Sequence, residues 1–328
     1  MQQLKMEIIE AQKERINKHL NGKIHEQLDF NIRPYIEGNE PLGMNLFVKQ
    51  LVSTIIHKIL DLPTALDFSI VSNVSSLREE LLPCLGHPLG KLNCILVGLK
   101  LKESILPKDS QLLIAQRYVH DFVNSNNWSD DSYCADVIEA GKKHKIDARG
   151  CLAELMVGMS YNIANVFSTL AWRILKDKNS ELFIEIKKAI EDRQHMTDKE
   201  FVTDMQSRAL YWINWTINNY SNLNLLLRIA DNGEIFAVDL KSINDEHPDL
   251  HHSASFSMGR FACPGQYLAR TTMLLSLKYM LSPIVFENKI YQFYSSPAGT
   301  ITTKYNDFFH ALIVEWTDDT LPLQAISS

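Results

Sequence analysis

The chain has 328 residues, 45% hydrophobic and 22% charged, with 39 acidic against 33 basic side chains and a formal net charge of −6. That apolar content supports a sizeable buried core, in one large domain or two ordinary ones. Acids and bases are interspersed, so no basic field exists to hold a phosphate backbone, and nucleic acid is excluded as an expected partner.

Residues 1–20 are charged and helical in pattern, with no apolar run long enough for a signal peptide or membrane anchor, which predicts a cytoplasmic chain with no membrane partner. Helical periodicity dominates the first two-thirds, without internal repeat or low-complexity linker, and predicts a single domain over 1–328. From Asn45 to Leu60 the spacing puts Leu46, Phe47, Leu51, Ile55, Ile56 and Ile59 on one side of a helix that Asp61-Leu62-Pro63 stops. Cys151 to Leu175 is apolar almost all round but interrupted by Glu154, Ser160, Asn162, Asn165 and Arg173, the pattern of a core-crossing helix. Short strand-like runs follow at Leu225–Ala230 and Glu234–Val238, joined by the turn residues Asp231-Asn232-Gly233. A further helix is predicted over Tyr267–Leu281, ended by Ser282-Pro283. Strands are predicted at Lys289–Tyr294 and His310–Trp316. The fold class is therefore mainly α with a small β component.

Cys84, Cys94, Cys134, Cys151 and Cys263 are odd in number, widely spaced and without a Cys-x-x-Cys pair, which argues against a disulfide framework and a structural zinc. Sequons at Asn73, Asn127, Asn214 and Asn219 are chance matches in a cytoplasmic chain. The segment Phe256-Ser257-Met258-Gly259-Arg260-Phe261-Ala262-Cys263-Pro264-Gly265 sets one cysteine at a helix start, with Pro264 fit for the first helical position and Cys263 for the cap. Free amides of a first turn favour a thiolate, which can ligate iron, while Gly259 and Gly265 allow close approach of a flat ring.

Phe-x-x-Gly-x-x-x-Cys-x-Gly at 256–265 resembles the heme-ligand loop of the cytochrome P-450 family, as a shortened and divergent member. The resemblance implies a cofactor, heme b (iron protoporphyrin IX), with Cys263 as the axial metal ligand, Phe256 near the sulfur, and Gly259 and Gly265 shaping the loop. Phe261 stands where the family commonly has His or Arg against a propionate, and the adjacent Arg260 is the substitute. Val157-Gly158-Met159-Ser160-Tyr161-Asn162 falls at the family's central-helix kink, where Gly158 fits and the acid and alcohol do not, leaving Ser160, Tyr161 and Asn162 as the catalytic proton-relay candidates. Arg228 takes the place of a propionate-binding arginine. The family's Glu-x-x-Arg pair falls on Trp215 and Asn218, so Trp212 and Trp215 would brace the cysteine loop by packing. Little chain precedes the helix at Asn45; residues 1–43 stand as a remnant of the family's N-terminal region, which is reduced, and imply an open pocket or one completed by a partner chain or oligomer.

The implied function is monooxygenase-type oxidation of an apolar small-molecule substrate, in secondary metabolism, with Met159, Ile163 and Phe167 as an apolar lining. A heme-thiolate isomerase, dehydratase or peroxygenase, or a degenerate non-catalytic heme protein, are the alternatives. Arg260, Arg270 and Lys278 offer a surface for an acidic ferredoxin or flavodoxin. A metal hydrolase built on His247, Asp249, His251 and His252 is disfavoured, because the four crowd one loop without a helical His-x-x-x-His pair. A serine hydrolase at Ser160 lacks the second glycine of a nucleophile elbow.

Overall fold

The computed structural model describes residues 2–21, 24, 42–63, 111–125, 128–220, 225–229, 235–239, 254–256, 262–282, 291–292, 300–306, 311–317 and 325–326. The helices are α1 (Gln2–Leu20), α2 (Met44–Ile59), α3 (Gln111–Ser125), α4 (Tyr133–Lys143), α5 (Ala148–Lys176), α6 (Glu181–Glu191), α7 (Asp198–Tyr220) and α8 (Gln266–Met280). Sequence-based periodicity placed α2, α5 and α8 to within a few residues of these bounds.

Helix ends follow from local chemistry. Ser132, Asp147 and Ser180 cap α4, α5 and α6 by accepting from the amides of Ala135, Gly150 and Phe183. Ahead of α7, Thr197 and Glu200 form a reciprocal capping box: the Thr197 amide donates to Glu200 Oε2 at 2.9 Å and the Glu200 amide to Thr197 Oγ1 at 3.3 Å. Both α2 and α4 stop on a left-handed residue, Asp61 with φ 49° and Lys145 with φ 55°. The next amide then reaches back in each case, Leu62 to the His57 carbonyl at 2.9 Å and Ile146 to Gly141 at 3.0 Å.

The 29-residue α5 is the centre of the molecule and packs against α2, α3, α4, α6, α7 and α8. Phe47, Phe167, Phe201, Trp212 and Tyr133 are its largest fully buried neighbours and constituents, in one continuous apolar core. Gly141 is where α4 crosses closest: a Cβ there would lie 2.4 Å from Ala148 Cβ. No described helix is long and apolar enough to cross a membrane. Asn214, one of the sequon residues, is fully buried within α7 and is closed to a glycan.

The strands form small sheets. β2 (Leu225–Ile229) and β3 (Ile235–Asp239) make the expected hairpin, in register from Leu225↔Asp239 to Ile229↔Ile235. β5 (Thr300–Asn306) pairs antiparallel with β6 (Ala311–Thr317), from Thr300↔Thr317 to Asn306↔Ala311. Sequence reading found β6 and not β5, whose Thr-Ile-Thr-Thr run is polar and defined by its cross-strand partner. β1 (Leu42–Gly43), β4 (Tyr291–Gln292) and β7 (Ala325–Ile326) form a third sheet in the order β1-β4-β7. The strand expected over 289–294 is thus two residues long among those described.

Candidate functional site

A 3₁₀ turn, Ala254–Phe256, opens the cysteine loop. The Cys263 amide donates to the Phe256 carbonyl at 2.7 Å, which closes the chain between them into a loop. Phe256 itself is half-buried against the core. Next, the Gln266 amide reaches the Cys263 carbonyl at 3.4 Å, and Gly265 has φ −86° and ψ 8°. These are the features of a type I turn with Pro264 at its second position, where a ring-fixed φ is favoured. Helix α8 therefore begins at Gln266 with Gly265 as its cap, not at Pro264 with Cys263 as the cap. The correction moves the sulfur two residues ahead of the cap. An amide still serves it, because the turn aims the Gly265 N–H at Cys263.

Cys263 keeps exposed surface, yet burial pushes its thiol pKa up, opposed by the Gly265 amide and by the charge of Lys5. The exposed cysteine, the amide aimed at its sulfur and the closed loop fit a metal-bearing flat ring held by Cys263. Cys134, by contrast, is buried and pushed up to about 12 by desolvation, and suits core packing. Among the described residues no cluster of three or more His, Cys, Asp or Glu could hold a metal ion; His247, Asp249, His251 and His252 lie outside them.

Gly158, Leu155 and Asn162 share one stripe of α5, and each is partly exposed. A Cβ at Gly158 would meet nothing within 4 Å, so open space lies beside the central helix there. Met159, Ile163 and Phe167 are buried and belong to the core instead. Ser160 and Tyr161 lie in α5, with side chains outside the described residues. Arg228 lies in β2 opposite Phe236, its side chain likewise outside them, as are Gly259 and Arg260 entirely.

Lys278 is not a surface charge. It is 8% exposed, and its Nζ donates to Asp198 Oδ1 at 3.0 Å and to the Met196 carbonyl at 3.1 Å, over the Phe201 ring at 5.0 Å. A buried lysine survives only when paired, and this pair ties the last turn of α8 to the first turn of α7. It supplies, at other positions, a brace between the cysteine helix and α7. Gln206 Nε2 adds a hydrogen bond to Thr271 Oγ1 at 3.3 Å between the same helices. Trp212 is fully buried, and its Nε1 donates to Glu185 Oε1 of α6 at 3.3 Å. Arg270 is half-buried, its guanidinium pKa lowered by desolvation.

No protein-family model and no curated protein matches the sequence. Solved structures do match. CYP164A2 of Mycobacterium smegmatis, crystallised with econazole bound, aligns with a TM-score of 0.55 at 15% identity, over 97% of this chain and 76% of that one. The LnmZ cytochrome P450 hydroxylase of the leinamycin biosynthetic pathway of Streptomyces atroolivaceus aligns at 14% identity and a TM-score of 0.48, over 96% of this chain and 80% of that one. The chain has a cytochrome P450-like fold.

Proposed function

We propose that the chain is a heme-thiolate oxidoreductase of monooxygenase type that acts on an apolar small molecule, with heme b held by Cys263. The observation that carries this reading is the exposed Cys263 in a loop closed by its own amide, with the Gly265 amide turned to its sulfur. Its support is the P450-like fold and the small-molecule ligand of the neighbour CYP164A2. Heme bound through a thiolate supplies redox and oxygen chemistry, while the protein orients and shields it.

The chain's own residues would do the following. Cys263 gives up its proton to bind metal, against the burial that raises the thiol. Gly265 N–H tempers the charge of the sulfur. Phe256 packs against the loop it closes, Gly259 shapes that loop, and Arg260 and Arg228 bind propionates. Gly158 leaves room beside α5, and Ser160, Tyr161 and Asn162 move protons through hydroxyl and amide groups. A ferredoxin or flavodoxin delivers electrons. Asn162, with no carboxylate on the described stripe of Leu155 and Gly158, favours a second reading as a peroxygenase, which turnover on peroxide alone would distinguish.

The test is spectroscopic. Heme added to the purified chain should give a red-shifted Soret band in the ferrous carbon monoxide complex, and Cys263→Ala should abolish it. A variant that keeps the band has another axial ligand, and the proposal fails.

A further inference from the structure

We draw no further inference here: the strongest candidate, the half-buried Arg270 guanidinium on α8, whose Nε is closed to water and has no hydrogen-bond partner, carries nothing because the rest of its surface is open to solvent and nothing in the structure shows what covers it.

Discussion

Two glycines show how much a single Cβ decides in this molecule. At Gly158 the added methyl meets nothing, and the residue lies in the interior of α5, where glycine carries an entropic cost relative to alanine. Gly158→Ala should therefore stabilise the chain by about 0.5–1 kcal/mol. At Gly141 the same methyl would lie 2.4 Å from Ala148 Cβ, and only displacement of α4 from α5 relieves the overlap. Gly141→Ala should then destabilise by about 1–3 kcal/mol. Chemical denaturation of the two variants checks both signs, and a destabilised Gly158→Ala would mean that the space beside the central helix is filled. Gly158 stood out in the sequence through its resemblance to a known kink; Gly141 did not, because a helix crossing leaves no local mark. Cys263 was legible for the opposite reason. Phenylalanine, glycine, cysteine and glycine at fixed offsets mark the loop in the sequence, whereas the turn ahead of α8, in place of a cap on it, depends on backbone hydrogen bonds that no residue type announces.

Among elements, the joint between α7 and α8 matters most for the site, since α8 begins just beyond the cysteine. Asp198 and Lys278 are 9% and 8% exposed, so removing one partner strands a charge out of water. Lys278→Met should cost about 3–5 kcal/mol, and the double variant Asp198→Asn, Lys278→Met should recover most of it. A double-variant loss equal to the sum of the Lys278→Met and Asp198→Asn single losses, measured by denaturation, would show that the two residues are not coupled. Both charges also sit at the ends that helix dipoles favour, the acid in the first turn of α7 and the base in the last turn of α8. Sequence reading assigned Lys278 to the surface because lysines are almost never buried, and only a partner 80 positions away reverses that rule here. The long helices were readable because their apolar spacing repeats over many turns. β5 was not, because a threonine-rich run is recognised as a strand mainly through the strand it faces.

At the scale of the whole molecule, α1 is joined to the rest by charge as well as by apolar burial. Arg15 is 7% exposed and reaches Asp136, Asp61 at 3.2 Å and Asp131 at 3.5 Å, so one guanidinium links α1 to the end of α2 and the start of α4. Gln12 Nε2 donates to the buried Tyr133 hydroxyl at 2.7 Å, and His19 Nε2 lies 2.8 Å from Asp61 Oδ2. Leu4, Ile8, Ile16 and Leu20 add the apolar share of the joint, all buried in the common core. The helix should loosen before the core opens when Arg15 is removed, because that one side chain serves three acidic partners. Arg15→Met should cost about 2–4 kcal/mol, between the values for a buried pair and a solvated one, since Asp61 and Asp136 keep 27% and 33% of their side-chain surface. Lys13→Met, which breaks an exposed pair with Glu10, should cost less than about 0.5 kcal/mol. Hydrogen exchange locates the loss. Amides of α1 should exchange faster in Arg15→Met while those of α5 and α8 keep their protection. Equal loss in α5 would mean that α1 opens only with the core, and the first helix would then be a part of the central bundle rather than a strap laid across it.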